Sequence, residues 1–256
     1  MSDNLTQPDD DPNRRIYRNY VSSGAFGTIS DAPADLTPRL PYLRRLVGKF
    51  FPAERQSLIL DAGCGDGGLL SVAQDLGYRQ TVGIDLSLEQ VQIARARGLP
   101  DVHQAEMIPF LCEQAPETFD LIVTFDVLEH LTKRELMVVI GEVHRILKEG
   151  GRWIIHVPNG QSPFFGRIRY GDFTHELAFT QRSLASVLRV GGFSAVDCFE
   201  DQPTPHGLTS FVRFVLWKIL RNFLRLYIMI ETGERGHDLI FSQNFLAIAR
   251  KSKPAS

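Results

Sequence analysis

Residues 60–68 read LDAGCGDGG, with four glycines in six positions directly after an apolar run that closes on Asp61. Upstream, SLIL (57–60) has the short unbroken apolar character of a buried strand; downstream, LLSVAQDLG (69–77) has helical spacing. The glycines therefore stand at a strand-to-helix turn, where backbone N–H groups and a helix N-terminus face whatever lies beyond the strand end. The unit repeats in TVGIDLSLEQVQIARARG (81–98), with Ser87 as a helix N-cap and Gly98 as a C-cap. Alternation continues through VHQAEM (102–107), FDLIVTF (119–125), a helix over 133–147, GRWIIHV (151–157), a helix over 180–190 and FSAVDCF (193–199). The last strand is expected in DLIFSQNFLAIAR (238–250). Apolar strands alternating with amphipathic helices predict an α/β, Rossmann-like, doubly wound and mostly parallel sheet with helices on both faces.

A chain of 256 residues with 43% hydrophobic residues is long enough for one large core. With 28 Lys+Arg against 30 Asp+Glu, it carries no bulk field that would draw it to nucleic acid. Cys64, Cys112 and Cys198 have no paired spacing, which argues against a disulfide framework or a zinc ribbon and for a reducing, cytoplasmic setting. Residues 1–15, MSDNLTQPDDDPNRR, are acidic, polar and without an apolar run, so a disordered tail and no secretory signal are expected. Residues 16–56 form an N-terminal cap whose helix lies in PRLPYLRRLVGKFF (38–51), and 57–256 form the main domain. Two insertions, 158–179 and 201–238, are long enough to serve as lids or binding surfaces.

Inside the second insertion, LTSFVRFVLWKILRNFLRLYIMI (208–230) is long and apolar, but Arg213, Lys218, Arg221 and Arg225 make a membrane span too costly. At roughly 100° per residue the four cations gather on one side, and Val212, Leu216, Ile219, Phe223, Leu226 and Ile230 on the other. A basic amphipathic helix of this kind can rest on an anionic bilayer at the inner face of a membrane, or pack as a lid or a homodimer surface.

The glycine turn satisfies the dinucleotide pattern through Gly63, Gly65 and Gly68, a weak signal alone. Two carboxylates, Asp61 and Asp66, oppose a pyrophosphate there by Coulomb repulsion. They suit a ligand with cationic groups, and Asp85, at the end of the next strand, can accept both hydroxyls of a ribose. S-adenosylmethionine combines ammonium, sulfonium and ribose diol.

LDAGCGDGG, VGIDLS (82–87), FDLIVTFDVLEHL (119–131) and LKEGGRWIIHVPN (147–159) together resemble the successive motifs of class I S-adenosylmethionine-dependent methyltransferases, over about residues 57–199. The resemblance implies a seven-stranded sheet whose last hairpin is antiparallel. It implies that Asp61, Gly63 and Gly65 hold the methionine end and Asp85 the ribose, that Leu86 and Met107 flank the adenine, and that Glu106 lies near its amino group. Phe125, at the end of its strand, borders the same ligand.

Methyl transfer to a hydroxyl needs donor and acceptor aligned and the acceptor's proton removed by a base or a metal. Asp126, Glu129 and His130 follow Phe125 in a D-x-x-E-H spacing and could converge on one ligand if the turn is helical. Related E-x-x-E-H arrangements, some with a second histidine, bind a divalent metal in small-RNA 2′-O-methyltransferases and ubiquinone-pathway O-methyltransferases. Here the first acid is one methylene shorter, and the second histidine would be His175. The alternative is that Asp126 caps the turn and Glu129 is exposed. His103, His144, His156, His206 and His237 are read as solvated or structural.

Insertion 158–179 concentrates Arg167, Arg169, Tyr170, Asp172, His175 and Glu176 after a strand bordering the cofactor site. Arg167, Tyr170, Asp172 and Glu176 are the candidate substrate contacts. VPNG, DFTHE and AFTQRSL resemble a pattern found in methyltransferases of polysaccharide assembly. The expected function is O-methylation of a sugar, a lipid-linked glycan or another small-molecule hydroxyl. The alternatives are a metal-dependent RNA 2′-O-methyltransferase and a module that binds S-adenosylmethionine without turnover.

Overall fold

A computed structural model describes residue 16 and residues 35–233 and 238–252. The expected tail 1–15, residues 17–34 of the cap, and residues 234–237 of the second insertion, with His237, lie outside the described residues. The elements, in chain order, are α1 (Leu40–Phe50), β1 (Ile59–Ala62), α2 (Gly68–Asp75), β2 (Thr81–Asp85), α3 (Leu88–Ala96), β3 (Val102–Gln104), α4 (Met107–Glu113) and β4 (Phe119–Phe125). After a 3₁₀ turn at Leu128–His130 follow α5 (Lys133–Ile146), β5 (Leu147–Pro158), α6 (Phe165–Arg169), α7 (Gln181–Val190), β6 (Ala195–Glu200), α8 (Leu208–Thr232) and β7 (Asn244–Arg250).

The sheet order is β3-β2-β1-β4-β5-β7-β6. Pairs up to β4–β5 are parallel, and β7 runs antiparallel to both β5 and β6. The strand order reverses at β1, so the carboxyl ends of β1 and β4 open the crevice where ligands bind in such sheets. All four β1 residues are buried, and the sheet packs an apolar layer on each face. α1 supplies Leu43, Leu46 and Val47 to one layer; α5 supplies Leu136, Val139, Ile140, Val143 and Ile146 to the other. α5 starts at a reciprocal cap in which Thr132 and Glu135 bond each other's backbone, and α7 uses Thr180 and Ser183 in the same way.

Two boundaries differ from the sequence expectation. β7 begins at Asn244 rather than near Asp238, because the preceding backbone is bonded to side chains. Asn159 Nδ2 donates to the carbonyls of Ile240 and Ser242, and Phe241 N–H donates to Glu200 Oε1. Within VHQAEM the strand stops at Gln104, and Met107 opens a helix that takes Pro109 in its first turn. Proline costs no hydrogen bond there. The first insertion is docked by backbone: the Glu129 carbonyl accepts from Glu176 and Leu177 N–H at 2.8 Å each, and Asn159 bridges Phe179.

Candidate active site

At the end of β1 the glycine turn must adopt left-handed backbone. Gly63 has φ +88°, and a Cβ there would lie 2.3 Å from Val127 Cγ2; Gly65 has φ +53° and opens onto clear space. Asp85 holds the turn to β2, accepting from Gly65 N–H at 2.9 Å and from Ser87 N–H at 2.8 Å. Asp61 is 1% exposed, and its Oδ1 has no hydrogen-bond partner among the described residues. Burial, then the charges of Asp85 and Asp66, push its pKa up to about 7. Asp66 itself is taken up by Arg97 at 2.6 Å and by Gly68 N–H, so the case against a pyrophosphate rests on Asp61 and Asp85. An orphaned buried carboxylate oxygen beside an open glycine turn fits a ligand carrying positive charge. Half-buried Leu86 and Met107 and exposed Glu106 lie at the β2 and β3 ends, with Gln104 Nε2 donating to the Leu86 carbonyl.

At the end of β4, register sets Phe125 beside His156 of β5, and the two rings stack at 3.9 Å. Asp126 then adopts φ +56°, which an aspartate tolerates better than most residues. It accepts from His156 Nδ1 at 2.6 Å, and Asp201 Oδ2 lies 3.5 Å from Nε2 on the other side. His156 is 3% exposed. Burial alone would lower its pKa, but the charges of Asp126 and Asp201 outweigh burial and raise it to about 10, so the ring is a cation at neutral pH. That cation holds the Asp126 carboxyl below its ordinary range against the desolvation of its inner side. Tyr42 of α1 meets Phe125 edge-on at 6.3 Å, and burial together with Asp201 raises its phenol pKa. Asp126 thus departs from the expected cluster: its partner is His156, thirty positions on, rather than Glu129 and His130.

The turn after Asp126 is helical, as the D-x-x-E-H reading required, and Glu129, His130 and His175 each present one ligand atom, all within 4.8 Å of one another. Glu129 is 1% exposed with Oε2 unpartnered among the described residues. Burial, reinforced by Asp126, raises its pKa well above the usual carboxyl range. Its expected alternative as an exposed residue does not hold. The Thr174 hydroxyl donates to Asp172 Oδ1 at 2.6 Å, so at 2.8 Å it accepts from His130 Nδ1. This chain fixes the tautomer and makes Nε2 the basic nitrogen of His130. Burial, and then His175, lower the His130 pKa, keeping the ring neutral at pH 7. His175 lies 4.7 Å from the His130 ring, with Nδ1 donating to the Ile168 carbonyl at 3.1 Å.

The candidate substrate contacts divide. Asp172 accepts from the Thr174 amide and hydroxyl and acts on His130 through them. Arg167, Tyr170 and Glu176 are exposed on the insertion. Sequence reasoning missed Tyr42, Thr174, Asp201 and the placement of His156. A signal existed for His156 alone, a lone ionisable residue in an otherwise apolar strand end beside the cofactor crevice.

Residues 37–197 match the family model described as a methyltransferase domain. The ubiquinone biosynthesis O-methyltransferase of Idiomarina loihiensis is 33% identical over 98 residues, covering 37% of this chain and 39% of that protein. The human probable tRNA methyltransferase 9B is 35% identical over 127 residues, covering 46% of this chain and 26% of that protein. The chain thus spans less than two thirds of the length of these curated relatives. The crystal structure of a SAM dependent methyltransferase from Archaeoglobus fulgidus shares the fold with a TM-score of 0.65, at 20% identity and over 91% of this chain and 99% of that one.

Proposed function

We propose, from the premise that this chain belongs to the methyltransferase domain family, that it catalyses S-adenosylmethionine-dependent O-methylation of a sugar or other small-molecule hydroxyl. The observation that carries the reading is the neutral, tautomer-fixed His130 behind the strand end, beside a glycine turn with an orphaned Asp61. S-adenosylmethionine supplies an electrophilic methyl group on sulfur. Asp61 meets its positive charge, Asp85 keeps the turn open and faces the ribose, and Leu86 and Met107 bracket the adenine. His130 Nε2 takes the acceptor hydroxyl's proton as the O–CH₃ bond forms and the S–CH₃ bond breaks, the electron pair staying on sulfur. Thr174 and Asp172 hold the ring in that tautomer.

Asp61 must be ionised to meet a cation, and its pKa in the free protein is about 7. Below that pH, cofactor binding therefore expels a proton, and affinity rises as pH climbs through 7. Calorimetry at pH 6 in two buffers of different ionisation enthalpy measures the proton, and Asp61→Asn abolishes the pH dependence and weakens binding by roughly tenfold to a hundredfold. A screen of hydroxyl acceptors for release of demethylated cofactor tests the reaction. Cofactor binding with no product from any acceptor class would instead favour a module that binds without turnover.

A second reading has its own support: Glu129, His130 and His175 form a set suited to a divalent cation, with two imidazole nitrogens and a buried carboxylate. A cation there would orient a diol, such as the ribose end of an RNA. The near-neutral net charge of the chain weighs against RNA as the acceptor. Chelator treatment of an active preparation decides between base and metal, since activity that survives it excludes the cation.

A further inference from the structure

We infer that α8 is a membrane-docking helix whose outward apolar face lies in the surface of an anionic bilayer. The helix runs 25 residues, roughly 37 Å, and buries none of them fully. Its half-buried residues, Phe214, Trp217, Arg221, Leu224, Arg225 and Ile228 among them, all fall within one sector of the helix at about 100° per residue. That sector is pinned to the body by the Arg221–Glu200 ion pair and by Arg221 Nη2 donating to the Leu239 carbonyl. The opposite sector carries Leu208 (81% exposed), Phe223 (65%) and Ile230 (75%), with Leu216, Ile219 and Leu226 between them. An apolar stripe of this length turned away from the described body of the protein marks an interaction surface.

Charge selects the occupant. Two of the four helix cations, Arg221 and Arg225, belong to the body side, so the membrane face is defined by the other two. Exposed Arg213 and Lys218 stand on opposite flanks of the apolar stripe, each about 110° from its centre. Long cationic side chains in that position reach up to headgroups while the stripe sinks into the acyl boundary. No Asp or Glu occurs from residue 208 to residue 230. A second copy of the chain paired through this stripe would bring cationic flanks against cationic flanks, with Glu231 in the last turn the one acidic residue of α8 to receive them; anionic lipid complements both. No described helix is long and apolar enough to cross a membrane, which fits a helix lying in the surface. The anchor also adjoins the site: Glu200 holds Arg221, and the next residue, Asp201, faces His156. This docking stands independently of the acceptor chemistry proposed above.

Flotation of the full chain with phosphatidylcholine vesicles, with and without phosphatidylserine, tests it. The chain floats with the anionic vesicles, far less with the neutral ones, and less as salt rises. Arg213→Gln and Lys218→Gln each weaken binding by roughly fivefold. Ile219→Asp with Phe223→Asp abolishes flotation while cofactor binding by calorimetry and the circular dichroism spectrum stay unchanged. Absence of flotation by the intact chain, or equal flotation with neutral vesicles, overturns the proposal. So does a concentration-dependent dimer in sedimentation that the two aspartates dissolve, which would assign the stripe to a second copy.

Discussion

His156 and His130 sit at neighbouring strand and turn ends of one sheet, and both are shielded from water, yet their surroundings drive them to opposite charge states. His156 lies between Asp126 and Asp201, and the two carboxylates overcome burial. His130 faces Thr174 and a second imidazole, so burial prevails and the ring stays neutral. Burial supplies the same push to each; the partner decides the sign. A fixed cation can orient a carboxylate and clamp two strand ends, whereas only a neutral imidazole can accept a proton at pH 7.

The sharpest way to break this contrast is His130→Gln. It keeps a polar side chain but removes the base, and turnover falls by about 10²- to 10⁴-fold with cofactor affinity unchanged; a turnover loss below tenfold assigns the proton transfer elsewhere. Next in size is Asp126→Asn, which removes the charge that holds His156 protonated. Buried pairs lose 3–5 kcal/mol when one partner goes, but the Asp126 side chain is 44% exposed, so solvent screening reduces the expected loss of folding stability to about 1–2 kcal/mol. Thermal or urea unfolding measures it.

Smaller is the effect of Thr174→Val, which preserves shape and breaks the chain from Asp172 to His130. It lowers kcat by roughly tenfold, the cost of one misdirected hydrogen bond, with KM for the acceptor unaffected. Thr174→Ser restores the rate, an outcome a merely structural residue would not give.

The pH profiles of the two histidines separate in opposite directions. The His156 pKa is raised on folding, so its stabilisation is complete below pH 6.5 and is lost as pH rises through about 10. Asp126→Asn removes that alkaline loss. The His130 pKa is lowered, so at saturating cofactor kcat/KM for the acceptor holds at neutral pH and drops as acid protonates the base, below pH 6.5. A rate that declines with the unfolding transition instead of ahead of it would assign the acid limb to stability.

Much of the frame was legible in the chain. Strand–turn–helix alternation, the glycine turn and the cap at Ser87 follow from rules that act within a few residues, and the helix at 208–230 was apparent from its spacing. The boundaries that shifted, at Gln104 and Asn244, are places where a backbone group finds a side-chain partner or a proline falls in a first helical turn. Neither event leaves a periodic trace. The helical turn at Leu128–His130 and the closeness of His175 follow the D-x-x-E-H reading and the DFTHE segment; the departure of Asp126 does not, because a local spacing describes neighbours on one helix face and says nothing of a residue presented by the adjacent strand.

What the sequence determined by itself is the order of elements and the chemistry available at each strand end: glycines where φ must be positive, an aspartate near the end of β1 and another closing β2, and a turn after β4 that carries Glu129 and His130. The tertiary structure alone decided which of those groups face one another. Register between β4 and β5 gave Asp126 to His156, docking of residues 172–177 on the Glu129 carbonyl gave His130 its Thr174 partner, and the Arg221–Glu200 pair turned the apolar face of α8 outward. Those pairings join residues 21 to 44 positions apart, and partners at such separations are chosen by packing of the whole sheet and its insertions, on which no local pattern reports.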